Sequence, residues 1–262
     1  MYLEVITHQP KSQSGLKPLL FIHGGCHGAW CWENFLPYFA EHGYEAHAMS
    51  LRGHGASEGH ERIRWIRTRE YLEDISNVID RLPTAPVLIG HSVGGYVVQK
   101  YLEEHTVPAV VLLNSVPVTG MFKMLLRLAV RHPWQALKFH LTWNPYAAFE
   151  TPSLAREAFF SDDMPTATIN RHFARLENES YVAGLEATFF DLPRPKKVLP
   201  IPMLILGADN DALFSRDEIE ATARAYKTQA EFFPNMAHSM MLEAGWQSVA
   251  VRILKWLREN RL

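Results

Sequence analysis

A chain of 262 residues, 47% hydrophobic and 21% charged, can remove roughly 70–75% of its unfolded surface from water, so one core stands without disulfide or metal staples. A net charge of −2 excludes nucleic acid as the main partner, because phosphate binding needs a strong local excess of Lys and Arg. Cys26 and Cys31 are too few for a disulfide framework and read as reduced, no uncharged apolar run approaches the ~18 residues of a membrane span, and residues 1–10 carry Glu4 and no signal-like apolar stretch, so a soluble cytoplasmic protein is expected.

Short apolar runs then alternate with amphipathic ones. Residues 18–22 read as a buried strand ending at His23-Gly24-Gly25. Residues 30–41 follow as a helix stopped by Gly43, and 44–51 as a strand ending in Arg52-Gly53-His54-Gly55. Over 68–81, Tyr71, Leu72, Ile75, Val78, Ile79 and Leu82 keep the helical period until Pro83 ends it. Residues 86–89 are a strand, 93–104 a helix and 109–113 a strand. From about Val116 to Pro195 no strand pattern is found; the stretch is helical, rich in Met, Phe and Trp, and punctuated by Pro133, Pro145, Pro152 and Pro165. The strand rhythm resumes over 201–207, followed by a helix (216–226), a short strand (230–233) and a terminal helix (246–258).

Strand and helix in alternation imply right-handed crossovers and a mostly parallel sheet covered on both faces. The expected class is α/β: a doubly wound sheet built from residues 1–115 and 196–262, with 116–195 inserted as a helical lid. In such sheets ligands sit outside the carboxyl ends of the strands, so each strand end is a place to look for chemistry.

Gly90-His91-Ser92-Val93-Gly94 fits G-x-S-x-G between a strand and a helix, the setting of a nucleophile elbow. The turn holds its serine in a strained conformation at a helix N-terminus, where backbone N–H groups favour developing negative charge. A serine hydroxyl needs a base, and the base an orienting acid. Among 13 histidines, His238 stands out because it follows the short strand 230–233 at a carboxyl end. The acid should lie between Ser92 and His238 in chain order. After the strand 109–113 come only Asn114 and Ser115, which leaves Asp209 and Asp211 after the next strand. Two amides should face a developing oxyanion: the N–H of Val93, and one from His23-Gly24-Gly25, with Gly25 as the candidate. His23 reads as structural and His54 as a loop-ordering residue.

Together, His23-Gly24-Gly25, Arg52-Gly53-His54-Gly55-Ala56-Ser57, Gly90-His91-Ser92-Val93-Gly94-Gly95, the 207–211 segment and Ala237-His238 resemble the α/β-hydrolase superfamily over nearly the whole chain. In many members the acid is the last Asp of a segment like Gly207-Ala208-Asp209-Asn210-Asp211, so the resemblance favours Asp211. Cys26-His27-Gly28-Ala29-Trp30-Cys31-Trp32 looks like the plant methylesterase and hydroxynitrile-lyase group, but Gly24 and Ser239 stand where the lyases carry Thr and Lys. The Arg52–Gly59 stretch looks like lysophospholipase-like and monoacylglycerol-lipase-like hydrolases. Ser92 excludes the aspartate-nucleophile chemistry of dehalogenases and epoxide hydrolases.

The expected activity is therefore ester hydrolysis by acyl transfer, of the carboxylesterase or lysophospholipase-like kind, on a small-molecule ester. Alternatives are a carbon–carbon bond hydrolase or lyase on the same triad, or a ligand-binding receptor on the same fold. No cofactor is called for, and no metal: no Cys/His cluster has zinc-ligand spacing. In the lid, Met121, Leu125 and Trp143, with Cys26 from the core, are expected to line a hydrophobic acyl or aryl pocket, unless they simply pack the lid onto the core. Lys123, Arg127 and Arg131 recur every fourth residue, and the basic face they form is read either as solvated or as a weak contact with a lipid surface.

Overall fold

A computed structural model describes residues 1–12 and 15–262. Seven strands form one sheet: β1 (Val5–His8), β2 (Leu19–Ile22), β3 (Ala46–Met49), β4 (Val87–His91), β5 (Val110–Leu113), β6 (Met203–Ala208) and β7 (Ala230–Phe233). Their order is β1-β3-β2-β4-β5-β6-β7, with β1 antiparallel to β3 and the remaining pairs parallel. Helices α1 (Phe35–Glu41), α2 (Thr68–Ile79) and α3 (Ser92–Tyr101) make the early crossovers, α9 (Arg216–Ala225) the crossover from β6 to β7, and α10 (Trp246–Glu259) follows β7. Between β5 and β6 lie α4 (Phe122–Arg131), α5 (Pro133–Thr142), α6 (Pro152–Phe159), α7 (Thr166–Phe173) and α8 (Tyr181–Leu185), with no strand among the described residues.

Side chains alternate across a strand, and here both faces are buried. Leu19, Phe21, Val87, Ile89, Val111 and Leu113 enter one core with Phe35 and Phe39 of α1 and Ile253 and Leu257 of α10. Their neighbours Leu20, Ile22, Leu88, Val110 and Leu112 enter a second core with Tyr71 and Ile75 of α2, Tyr96 of α3 and Ile219 of α9. This two-sided burial is why the strands read as unbroken Val/Leu/Ile runs.

Two elements depart from the sequence expectation. The 30–41 helix is divided into a 3₁₀ turn over Ala29–Trp32 and α1, and β1 has no counterpart in the strand pattern. β1 is an edge strand, half-buried at Val5 and Ile6 and exposed at Thr7 and His8, so no apolar run marks it; pairing with β3 makes it a strand.

Because β2 to β7 run parallel, His23, Ser92, Asn114 and the 209–211 loop leave the sheet at the same edge. The loop after β3 is held there by Arg52, whose guanidinium meets the fully buried Asp74 of α2 at 2.6 Å while Asp74 also accepts the Arg52 backbone N–H at 2.9 Å.

Candidate active site

Ser92 opens α3 with φ +51°, the left-handed region that a residue with a side chain seldom occupies. The surrounding backbone over-determines the turn. A Cβ on Gly94 would lie 2.3 Å from the His23 carbonyl and 2.5 Å from that of Ile22, and one on Gly24 2.8 Å from Ser92 Cβ. The two carbonyls against Gly94 are backbone at and just after the end of β2, which cannot retreat. Gly94→Ala is therefore expected to destabilise the fold by about 3 kcal/mol, measured by denaturant unfolding.

His238 sits in the loop after β7, and Nδ1 donates to Asp211 Oδ2 at 2.8 Å, with both side chains only 1% exposed. The other Asp211 oxygen accepts the N–H groups of Leu213 (2.7 Å) and Phe214 (3.1 Å), which aims the carboxylate. The His238 carbonyl accepts from Asn114 Nδ2 at 2.8 Å and from His91 Nε2 at 3.0 Å. Phe214 and Phe159 flank the ring at centroid distances of 5.6 and 6.1 Å. With its Nδ1 proton facing the carboxylate, the neutral ring leaves Nε2 as the acceptor. Nε2 is buried with no hydrogen-bond partner, so the Ser92 hydroxyl is not hydrogen-bonded to it in this arrangement. Free active sites commonly show such loose geometry. Asp209 is exposed and ion-paired with Arg216 at 2.8 Å, away from His238.

Ser92 opens into a mostly apolar cavity that Gly25, Cys26 and Val93 also line. Its other walls come largely from the insertion, including Met121, Leu125, Phe139 and Tyr181, and from Leu213 and Phe214 of the core. Val93 lies in the first turn of α3, where a backbone N–H has no intrahelical acceptor. Trp143 lies outside the cavity; it is 46% exposed and packs on Trp65 and Tyr181 at 5.4 and 5.1 Å. It ends α5 with φ +53°, a placement that its sequence position did not reveal.

The basic face of α4 is also largely engaged. Arg127 meets Glu218 at 2.8 Å and the Leu213 carbonyl, and Arg131 meets Glu157 at 3.1 Å, while Lys123 is exposed. Two of the three cations thus face acids within the protein.

Buried imidazoles crowd the same edge. Burial, aided by His54, pulls the His23 pKa down to about 3. Burial pulls that of His27 down to about 4. Both rings are neutral at ordinary pH. His23 Nε2 accepts the Leu51 N–H at 3.0 Å while Nδ1 donates to the Gly24 carbonyl, a structural role. His54 is the exception. Burial opposes its charge, but the Glu179 carboxylate 3.2 Å from Nε2 outweighs burial and raises its pKa. Burial would raise Glu179, yet His54 prevails and holds it down to about 2. Glu179, His54 as an ion-pair partner, Asn114 and His91 were not legible as site residues. Asn114 alone left a trace, as the residue standing where an acid is often found. Cys26 and Cys31 are buried free thiols whose pKa values burial raises. Among the described residues no group of three or more His, Cys, Asp or Glu side chains could hold a metal ion, and no helix is long and apolar enough to cross a membrane.

Methylesterase 10 of Arabidopsis thaliana is 37% identical over 93 residues, which cover 34% of this chain and 32% of that protein. Esterase PIR7B of Oryza sativa subsp. japonica is 31% identical over 117 residues, 42% of each chain. The matched segments thus span between about a third and two fifths of these relatives' lengths. In three dimensions, a thermophilic esterase from Thermogutta terrifontis superposes with TM-score 0.76 at 19% identity, covering 99% of this chain and 94% of that one, which shows a shared fold. The sequence pattern of the Alpha/beta hydrolase family matches residues 19–251, from β2 into the last helix. With that match over most of the chain and the parallel sheet built as described, the protein belongs to the alpha/beta hydrolase family.

Proposed function

We propose that the protein is a serine hydrolase that cleaves carboxylic esters with a hydrophobic acyl or aryl part, using Ser92, His238 and Asp211. The observation that carries this reading is the buried 2.8 Å contact between His238 Nδ1 and Asp211 Oδ2, on the sheet edge where Ser92 takes its strained turn. In the proposed reaction His238 Nε2 takes the Ser92 proton as Oγ attacks the ester carbonyl. The Val93 and Gly25 amides receive the oxyanion, and the N-terminus of α3 adds its dipole. His238 then protonates the leaving alcohol. Water repeats the sequence and releases the acid, while Asp211 stabilises the imidazolium formed in each half.

Residues 116–195 act as a lid in this reading, contributing Met121, Leu125, Phe139 and Tyr181 to the acyl or aryl site. An apolar lining with a polar group at one end suits an ester whose reacting carbonyl is polar and whose remainder is not. The methylesterase and esterase names of the sequence relatives accord with the same chemistry.

The test is hydrolysis of p-nitrophenyl esters from acetate to palmitate, with a fluorophosphonate probe as a check on the nucleophile. Turnover with an optimum at one chain length, and stoichiometric labelling of Ser92, are expected. A wild-type protein that hydrolyses none of these esters and leaves the probe unreacted sinks the esterase reading.

A further inference from the structure

We propose that Glu179, paired with His54, is a positioning residue that holds the Gly25–Cys26 turn beside Ser92 and keeps the charge there balanced; this rests on the esterase reading. Three observations carry it. The first is backbone strain. Cys26 has φ +63°, the left-handed region that a residue with a Cβ seldom occupies. It is held from the insertion on both sides: the Cys26 N–H donates to Glu179 Oε2 at 3.3 Å, and its carbonyl accepts the Glu177 N–H at 2.9 Å.

The second is the full engagement of the carboxylate. Oε1 accepts from the Tyr71 hydroxyl (3.0 Å) and the Ser180 N–H (2.6 Å); Oε2 accepts from Cys26 and lies 3.2 Å from His54 Nε2. Three N–H or O–H donors and the His54 ring lie against its two oxygens, at the cavity wall that Glu179 shares with Ser92, which commits the carboxylate to holding the loop. The third is the protonation of its partner. His54 Nδ1 donates to the Arg52 carbonyl at 3.2 Å, and Nε2 faces the carboxylate. Nε2 makes no aligned hydrogen bond to the carboxylate, but a negative charge at that distance favours the protonated ring, and a protonated ring makes the pair zwitterionic.

The other groups against this pair do not supply a countercharge. His23 and His27 are kept neutral by burial, and burial likewise raises the Cys26 thiol and the Tyr71 phenol. The Arg52 guanidinium is turned to Asp74, and Glu177 accepts the Gly55 N–H and lies 3.7 Å from His60. A Cβ on Gly25 would lie 3.3 Å from Glu179 Oε2 and 3.2 Å from Val93 Cγ2. An oxyanion held by the Gly25 and Val93 amides would therefore form next to Glu179, and a bare carboxylate there opposes it. His54 in its charged form cancels that opposition.

The linkage has a definite sign. The folded pKa of His54 is raised above 6.5, so its contribution to stability is complete below 6.5 and is lost as pH rises through the folded value. Glu179 falls from 4.5 to about 2, so its contribution is complete above 4.5 and is lost as pH falls toward 2. The latch is whole between those unfolded-state values, and its alkaline failure belongs to His54.

The test follows kcat and KM for p-nitrophenyl butyrate against pH in wild type, His54→Gln, Glu179→Gln and the double variant. His54→Gln strands the buried carboxylate and is expected to lower kcat about a hundredfold with KM little changed. Adding Glu179→Gln to it should restore at least about tenfold, because the stranded charge is removed. The alkaline decline of wild-type kcat should be absent in Glu179→Gln. A double variant no more active than His54→Gln, or an alkaline decline that persists in Glu179→Gln, overturns the proposal. Where His54→Gln does not fold, the comparison of wild type with Glu179→Gln decides. Thermal unfolding against pH separates this inference from the esterase reading. Without any ester turnover, a wild-type midpoint that falls on the alkaline side and a flat one in Glu179→Gln still identify the pair, and two parallel curves overturn it.

Discussion

Ser92→Ala is expected to reduce kcat for any ester the wild type cleaves by about 10⁵-fold or more, with the protein folded and KM nearly unchanged. The hydroxyl is the only group in the proposed mechanism that can form the acyl-enzyme, so what survives is the transition-state binding of the amides and the cavity. The substitution removes one oxygen from a side chain that opens into the cavity, and Ala accepts φ +51° no worse than Ser, so the fold should not suffer. His238→Ala should cost about as much, and the double variant little more than either, because nucleophile and base act as one unit. Steady-state kinetics with active-site titration checks both statements. A Ser92→Ala protein that keeps a tenth of wild-type kcat would point to another nucleophile or to direct attack by water.

Asp211→Asn is expected to lower kcat by about 10³–10⁴-fold, whereas Asp209→Asn should stay within about twofold. The reasoning turns on one proton. Asp211 Oδ2 accepts the Nδ1 proton of His238, which leaves Nε2 free to take a proton from Ser92. An Asn whose amide nitrogen faces Nδ1 donates instead, shifts the ring proton to Nε2, and removes the base. Its remaining oxygen can still accept the N–H groups of Leu213 and Phe214, so the loop should hold. Asp211→Ala would remove those contacts as well and mix loop damage with lost catalysis, which makes Asn the sharper probe. Asp209 loses only an exposed pair with Arg216 when substituted, worth at most about 1 kcal/mol. Equal losses in the two Asn variants would remove Asp211 from its proposed role.

Parts of this molecule are written in its local sequence. The buried strands carry continuous apolar runs because both faces of the sheet are covered, so their place and the α/β class could be read from patterning alone. The turn at Ser92 announces itself because only glycine fits at 94, against the carbonyls of Ile22 and His23. The stretch with no strand pattern contains α4 to α8, since helical periodicity is also a local property.

The tertiary structure decided what depends on residues meeting across the chain. Asp209 and Asp211 are chemically alike and two positions apart, and only the path of the loop turns one toward His238 and the other toward Arg216. Asn114 reaches the His238 carbonyl across 124 positions and Glu179 reaches Cys26 across 153, contacts that no local pattern encodes. The basic residues at 127 and 131 share a helix face by spacing, but their partners Glu218 and Glu157 come from other helices. Periodicity and turn chemistry act over a few residues and are legible one segment at a time, whereas the partner of a buried charge is set by how the segments pack.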